Sequence, residues 1–225
     1  TPFYPEGGGQ PSDTGRIGDA VVRQVLTDDD CVVRHLVDKP VPLGTVKASV
    51  DPQRRLDHMQ QHAAQHLLSA CLLELADART VGFHMSETYT SIDLDQKVDQ
   101  DVLNRAVLMA NDAIRAALPI EIFYPDDATL QNLPLRKMPK VEDKIRVVRI
   151  GDLDYSPCGG THPDNTAGIG CVMVTRFENY KSGTRVEFLA GDRAIKDMLR
   201  KNAALTQLSQ RLATPVADIV SGVDK

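Results

Sequence analysis

The chain has 225 residues, of which 42% are hydrophobic and 25% charged, with a formal net charge of −5. These values are typical of a globular protein with one large domain and smaller attachments. We expect a cytoplasmic protein without a membrane segment, because the sequence shows neither a membrane-length apolar run nor a signal-peptide pattern. Four cysteines are too few for a fold held by disulfides, so a cysteine near histidines is better interpreted as a metal ligand or thiol.

The first fifty residues have the pattern of short β-strands separated by turns. Apolar and β-branched runs over 20–26 and 31–37 flank Asp28-Asp29-Asp30, and Gly7-Gly8-Gly9 precedes both runs. Such runs between Gly, Pro and Asp turns predict a small β-barrel or sandwich. Because the chain opens on Thr1-Pro2-Phe3-Tyr4 without an initiator methionine, we expect further strands to precede it.

The rest of the chain alternates between helical and strand patterns. Apolar residues recur every three to four positions from Pro52 to about Asp77, which predicts a helix capped by Asp51. Two further helices are predicted over about 100–118 and 192–212, and strands over 80–94, 120–124, 145–150, 171–177 and 184–189. Helices interleaved with mostly antiparallel strands indicate an α+β fold.

Three histidines lie on one face of the first helix. His58, His62 and His66 are four residues apart, so their side chains project in the same direction. Two imidazoles at this spacing can bind one zinc ion. By spacing alone, the pairs His58–His62 and His62–His66 are equally good.

A second motif supplies the remaining ligands. Cys158 and His162 flank Gly159-Gly160-Thr161 in a loop after an apolar strand. A His-x-x-x-His helix and a Cys-x-x-x-His loop together provide four nitrogen and sulfur ligands, which is the set that zinc prefers. The sequence therefore predicts one zinc ion.

The residues between these ligands exclude two common zinc chemistries. A zinc protease carries Glu beside its first histidine, whereas Ala63-Ala64-Gln65 lies between His62 and His66 here. A nucleic-acid deaminase needs His-x-Glu with Cys-x-x-Cys, and neither is present. Hydrolysis of a more activated acyl bond, such as an ester, fits the motifs better.

At these residues the sequence resembles the AlaX family, stand-alone relatives of the alanyl-tRNA synthetase editing domain. Three motifs carry the resemblance, in the family's order: a glycine-rich motif, a histidine helix and a cysteine loop. They are Phe3-Tyr4-Pro5-Glu6-Gly7-Gly8-Gly9-Gln10-Pro11-Ser12-Asp13-Thr14-Gly15, Met59-Gln60-Gln61-His62-Ala63-Ala64-Gln65-His66-Leu67-Leu68-Ser69-Ala70, and Cys158-Gly159-Gly160-Thr161-His162 followed by Thr166-Ala167-Gly168-Ile169-Gly170. The match spans about 1–190.

The resemblance implies a fold and a metal site. It implies a small N-terminal β-barrel over 1–50, an α/β sandwich editing domain of the threonyl/alanyl-tRNA synthetase second-additional-domain type over 51–190, and a C-terminal helix over 191–225 that begins a further region. It also implies the ligand set His62, His66, Cys158 and His162, which leaves His58 as a neighbour.

The implied function is trans-editing, the hydrolysis of mischarged Ser-tRNA(Ala), with Gly-tRNA(Ala) as a second candidate substrate. Zinc is expected to polarise the ester carbonyl, to activate water or to shape the pocket. We predict that the backbone N–H groups of Gly159, Gly160 and Thr161 stabilise the oxyanion. The residues predicted to bind substrate are Gly7, Gly8, Gly9, Gln10, Ser86, Thr88 and Thr90.

Two positions depart from the family's pattern. Ala63 stands where the family's helix often has Thr. Phe83-His84-Met85-Ser86 stands roughly where the synthetase editing domains carry Gln-Lys-Gly-Ser. If that glutamine contacts substrate, His84 would have to replace it.

The charge distribution agrees with a tRNA partner. Residues 1–130 have a balance of −9 and residues 131–225 a balance of +4, which favours local binding of a polyanion. The basic residues form two runs: Arg136, Lys137, Lys140, Lys144, Arg146 and Arg149, and then Arg176, Lys181, Arg185, Arg193, Lys196, Arg200 and Lys201. Two alternatives remain: editing of Ser-tRNA(Thr) like the threonyl-tRNA synthetase domain, and a non-catalytic module that binds zinc and tRNA.

Overall fold

The structure of the protein is a computed structural model that describes residues 1–138 and 144–223. The N-terminal unit is a four-stranded antiparallel sheet with strand order β3-β2-β1-β4. The strands are β1 (Gly15–Ile17), β2 (Ala20–Thr27), β3 (Val33–Val37) and β4 (Ala48–Val50). Phe3, Val22 and Val25 form its small core. The edge strands β3 and β4 are not paired with each other in the described ranges, so the predicted barrel closure remains a prediction.

Helix α1 (Pro52–Ala76) follows directly and is buried along most of its length. Asp51 begins it, because the carboxylate accepts hydrogen bonds from the backbone N–H groups of Gln53 and Arg54 while proline occupies the first turn. Asp77 ends it in the left-handed conformation. Because α1 is enclosed on nearly all sides, its polar residues between 58 and 66 must find partners inside the protein.

Two antiparallel sheets and a second helix enclose α1. The elements are β5 (Thr80–Met85), β6 (Thr90–Leu94), α2 (Gln100–Arg115), β7 (Ile120–Phe123), α3 (Asp127–Asn132), β8 (Val147–Ile150), β9 (Asp154–Pro157), β10 (Val172–Tyr180) and β11 (Gly183–Ala190). The larger sheet has strand order β10-β11-β6-β5, and the smaller has order β7-β8-β9. Residues from α1, α2, β6, β8, β10 and β11 share one core, in which Leu67, Ile92, Val148 and Phe188 are fully buried.

The C-terminal part is helical. Helix α4 (Gly191–Leu212) is followed by the short 3₁₀ turn Val216–Asp218 and by α5 (Ile219–Val223). Ile219 is buried, whereas the outer face of α4 is mostly exposed. Among the helices that the structure describes, none combines the length and the apolar character needed to cross a membrane.

Comparison with the predicted elements confirms a mixed fold of helices and sheets. The three long helices and the longer strands lie within a few residues of their predicted bounds. The short elements β1, β4, β9 and α3 were not predicted. The division into domains at 1–50, 51–190 and 191–225 remains a prediction, and the last two residues of the third segment are outside the described residues.

Candidate metal centre

The structure brings the four predicted ligands together. His62 and His66 lie one turn apart on α1, and Cys158 and His162 lie in the loop that follows β9. One ligand atom from each residue lies within 4.8 Å of the others. These residues, of which the three histidines are buried, form a group that could hold one metal ion.

The distances within this group agree with a tetrahedral ion. Cys158 Sγ lies 3.2 Å from His62 Nε2 and 3.3 Å from His162 Nε2. Tetrahedral zinc, with bonds of about 2.3 Å to sulfur and about 2.0 Å to nitrogen, separates a thiolate from an imidazole nitrogen by about 3.5 Å. The donor set and its spacing therefore fit zinc.

Hydrogen bonds outside the group orient the two histidines of α1. His62 Nδ1 lies 2.8 Å from Gln10 Oε1, and His66 Nδ1 lies 2.6 Å from Asp154 Oδ2. Each acceptor favours a proton on Nδ1, so Nε2 is the atom of each ring that a metal would bind, in place of any proton it carries. The outer partners thus prepare both imidazoles to bind a metal through Nε2.

Asp154 is a functional residue that the sequence reasoning missed. It is 2% exposed and also accepts hydrogen bonds from Arg136 Nε at 2.6 Å and Ser156 Oγ at 3.0 Å. Burial raises the pKa of this carboxyl, but the hydrogen bond from His66 and the nearby cations lower it more, to about 2. A signal existed: Gly151-Asp152 directly after a β-branched strand is typical of a hairpin turn, and Asp154 begins the returning strand.

The charges in the group favour a cation at its centre. Burial raises the pKa of the Cys158 thiol, but the charge of His66 and the hydrogen bond from His162 outweigh it, so that the pKa lies far below its usual range. Burial lowers the pKa of His66, yet the Cys158 thiolate and Asp154 raise it further, to about 9. Burial lowers the pKa of His162 to about 3. The group therefore contains a thiolate whose charge a metal ion can neutralise when it replaces the proton on His66 Nε2.

His58 is separate from this group. Its ring is buried, its Nδ1 has no hydrogen-bond partner in the described part of the chain, and burial lowers its pKa to about 4. The structure therefore favours the His62–His66 pair, in agreement with the resemblance.

The loop between Cys158 and His162 is shaped by close contacts. A Cβ on Gly160 would lie 2.2 Å from the His62 ring, so a side chain at this position would displace the ligand. The Gly160 N–H faces Cys158 Sγ at 3.3 Å, and the Thr161 N–H donates to Gln10 Oε1 at 3.2 Å. Two of the three predicted oxyanion donors are thus already engaged, whereas Gly159 is exposed and its N–H makes no hydrogen bond within residues 1–138 and 144–223.

An open cleft of about 680 Å³ leads to the group. One wall comes from the N-terminal unit and the other from the larger unit, so the cleft lies between the two. Its lining includes Tyr4, Glu6, Gly7, Gly8, Thr27, His62, Gln65, His66, Thr80, Phe83, Arg136, Lys137, Cys158, Gly159 and Gly160. This is the position where a substrate could reach the metal.

The glycine-rich loop contributes to the cleft in three ways. Gly7 and Gly8 line it. Gly9 has φ +83° and packs so closely on Phe83 that a Cβ would lie 2.7 Å from its carbonyl oxygen. The Gly9 carbonyl also accepts a hydrogen bond from Met85 N. Gln10 is buried against His62 and Thr161 instead of facing the cleft.

The other predicted substrate residues lie elsewhere. Ser86 and Thr88 are in the turn between β5 and β6, where the Ser86 hydroxyl accepts hydrogen bonds from the N–H groups of Thr88 and Tyr89. Thr90 is fully buried, and its hydroxyl has no partner among the described residues. None of the three lines the cleft, so their roles remain predictions. His84 is exposed, whereas its neighbour Phe83 contacts the His62 ring at a centroid distance of 5.1 Å.

The sequence analysis also did not identify three linked polar residues near the cleft, Gln65 and Ser69 of α1 and Thr80 of β5. Gln65 lines the cleft and donates to Ser69 Oγ at 2.8 Å, and Ser69 Oγ lies 2.6 Å from Thr80 Oγ1. Helical spacing could have identified Gln65, which is three residues after His62 and shares its face.

In the part of the chain that the structure describes, carboxylates pair with two residues of the first predicted basic run and with five of the seven in the second. In the first run, Arg136 pairs with Asp154 and Arg149 with Asp152. In the second, carboxylates pair with Arg176, Arg185, Arg193, Arg200 and Lys201. Lys137 is exposed at the cleft without a carboxylate partner in the described ranges. Lys140 lies outside the described residues.

Comparison with known proteins defines the class first. Residues 145–187 match the family described as the threonyl and alanyl tRNA synthetase second additional domain. These residues contain Cys158 and His162 of the candidate centre. The chain is therefore a protein that carries this domain.

The relatives narrow the class to a family. The alanyl-tRNA editing protein AlaX-L of Pyrococcus horikoshii is 38% identical over 215 residues, which cover 88% of this chain and 52% of the relative. The alanyl-tRNA editing protein Aarsd1 of Bos taurus is 33% identical over the whole chain and 52% of its own length. An alanine–tRNA ligase of Geobacillus thermodenitrificans is 30% identical over the whole chain and 27% of its own length. This chain belongs to the AlaX family, and it spans about half the length of the editing proteins that it matches.

Proposed function

We propose that the protein is a zinc-dependent deacylase that hydrolyses mischarged Ser-tRNA(Ala). The observation that carries the proposal is a buried three-histidine, one-cysteine group at the base of a cleft, in a chain similar to proteins named for alanyl-tRNA editing. The names of these relatives favour tRNA(Ala) over tRNA(Thr). The cleft favours a catalytic role over a module that only binds zinc.

The ester bond would lie at the base of the cleft. Zinc held by His62, His66, Cys158 and His162 would supply a Lewis acid for the ester carbonyl. The chain's own contribution is to orient the bond and to stabilise the developing oxyanion. The exposed Gly159 N–H is the donor best placed for that, because the Gly160 and Thr161 N–H groups already have partners.

Selectivity requires that the serine hydroxyl gain an interaction that alanine lacks. A site that hydrogen-bonds a substrate hydroxyl can reject the analogue without it by about 10⁴–10⁵. Ser86, Thr88 and Thr90 remain candidates from the sequence, but they lie outside the cleft lining. We therefore place the interaction at the backbone of Gly8, which lines the cleft, because the Gly7 N–H and carbonyl already bond to Gln10.

The test is incubation of the purified protein with Ser-tRNA(Ala), Gly-tRNA(Ala) and Ala-tRNA(Ala), with and without a chelator. We expect rapid release of serine, slow release of alanine, and loss of the serine activity after chelation that added zinc restores. Equal rates on the serine and alanine substrates would contradict the editing function. Serine release that survives complete metal removal would contradict the zinc dependence alone.

A further inference from the structure

The glycine-rich loop places one side chain within the outer shell of the metal centre. Gln10 is 1% exposed. Its Oε1 lies 2.8 Å from His62 Nδ1 and 3.2 Å from Thr161 N, and its Nε2 donates to Thr161 Oγ1 at 2.9 Å. One amide therefore contacts His62 and the loop that carries the ligands Cys158 and His162.

The backbone fixes which way this amide points. The Thr161 N–H can only donate, so the Gln10 atom that faces it must be the oxygen. The same oxygen faces His62 Nδ1, which must then carry the proton. With the proton on Nδ1, the lone pair of Nε2 is directed at Cys158 Sγ, 3.2 Å away. Gln10 thus selects the tautomer of His62 that can bind a metal.

The loop that carries Gln10 is itself held in place. Gly7 and Gln10 exchange two backbone hydrogen bonds, of 3.1 and 3.0 Å. The Gly9 carbonyl accepts from Met85 N at 3.1 Å, and the fully buried Asp13 pairs with Arg55 of α1. The position of the Gln10 amide is therefore determined by contacts on both sides of it.

We propose that Gln10 is a positioning residue that makes the N-terminal unit part of the metal site. It fixes His62 in the Nδ1-protonated form and ties the cysteine loop to α1. Both lone pairs of its oxygen are used by these contacts, and the amide is buried against His62 and Thr161, so we assign Gln10 to the metal site in place of the predicted contact with the serine hydroxyl. This inference rests on the proposed metal site but not on the identity of the substrate.

The first experiment measures zinc affinity by competition with a chelator in the full chain. Removal of an outer-shell partner typically lowers metal affinity 10–100-fold, and we expect a loss in this range for Gln10→Ala. Gln10→Glu keeps both acceptor contacts and should stay within a few-fold of the unmodified protein. Gln24→Ala is the matched control, because Gln24 belongs to the same unit and its side-chain amide donates to Glu6, away from the metal ligands. Unchanged affinity in Gln10→Ala, or an equal loss in Gln10→Glu, would overturn the proposal.

The second experiment does not depend on a folded variant or on activity. Nitrogen-15 NMR of the imidazoles in the unmodified, metal-free protein reports the tautomer of each neutral histidine. We expect His62 in the Nδ1–H form, and a predominant Nε2–H form would overturn the proposal. A protein that binds zinc and shows this tautomer but releases no amino acid from any tRNA would refute the proposed function and leave the role of Gln10 intact.

Discussion

His62 and His66 are one helical turn apart on α1, yet their outer partners differ in charge and in origin. His66 is held by Asp154, a buried carboxylate of the larger unit that also pairs with Arg136. His62 is held by Gln10, a neutral amide of the N-terminal unit. The charged partner anchors one ligand within its own unit, whereas the neutral partner makes the other ligand depend on a second unit. The two halves of the centre should therefore respond differently to substitution.

The largest effect should come from substitution of the metal ligands themselves, because their loss removes the metal site. We expect one zinc ion per chain in protein purified without added metal, and none in the double variant His62→Ala/Cys158→Ala. Elemental analysis of the purified proteins measures this directly. His58→Ala should retain the metal, because His58 lies outside the group. Stoichiometric zinc in the double variant would rule out the ligand set.

The next largest effect should come from Asp154, the charged partner of His66. Asp154→Ala leaves Arg136 without its buried partner, and breaking a buried ion pair typically costs about 3–5 kcal/mol. We expect a loss of that size in the free energy of unfolding, measured by urea titration, together with weaker zinc binding than in Gln10→Ala. Asp152→Ala is the control, since Asp152 forms an exposed pair with Arg149. If Asp154→Ala and Gln10→Ala weakened zinc binding equally, the contrast between the two halves would not hold.

A smaller effect is expected from Gly7, which belongs to the same glycine-rich loop as Gln10 but lines the cleft instead of contacting a metal ligand. Gly7 does not have a positive φ, and an added Cβ would meet nothing closer than 3.9 Å, so Gly7→Ala should fold normally. Its methyl group would enter the cleft, and we expect kcat/KM for Ser-tRNA(Ala) to fall about 10-fold, which corresponds to about 1.4 kcal/mol. Zinc affinity should stay unchanged, unlike in Gln10→Ala. If Gly7→Ala kept the kcat/KM of the unmodified protein, the substrate would not lie beside Gly7.

The smallest effect should come from the opposite wall. Lys137 is exposed at the cleft, so Lys137→Glu should weaken tRNA binding and reduce the slope of log affinity against log salt by about 1. A filter-binding series at several salt concentrations measures this. Lys181→Glu is the control, because Lys181 lies over the Tyr180 ring outside the cleft lining. Equal salt slopes in the Lys137 variant and the unmodified protein would place the tRNA elsewhere.

The part of the site that could be predicted from sequence is the part encoded by local spacing. A histidine pair four residues apart on a helix and a cysteine–histidine pair across a tight loop each bring their ligands together within a few residues. The start of α1 was likewise readable, because Asp51-Pro52 is a local capping signal.

The outer shell could not be predicted in the same way. Gln10 and Asp154 reach their histidines across 52 and 88 residues, through the packing of separate elements. Some pairings of the basic runs are equally distant, as Asp93 is from Arg185 and Asp57 from Arg193. Others are local, such as Asp152 with Arg149 and Asp197 with Arg200, and helical or turn spacing could have indicated them. Three-residue strands such as β1 and β4 carry too few residues to show a periodicity.

The span of the contacts around His62 also has a consequence for folding. The Gln10–Thr161 hydrogen bond joins residues 151 positions apart in the sequence, and Cys158 meets His62 across 96. Contacts between distant residues form slowly, because closing long loops restricts the chain before any contact compensates for it. The local helix around His62 and His66 can form early, but the complete set of ligands cannot. Zinc uptake during refolding should therefore be a late event, which follows the docking of the cysteine loop on α1 and on the N-terminal unit.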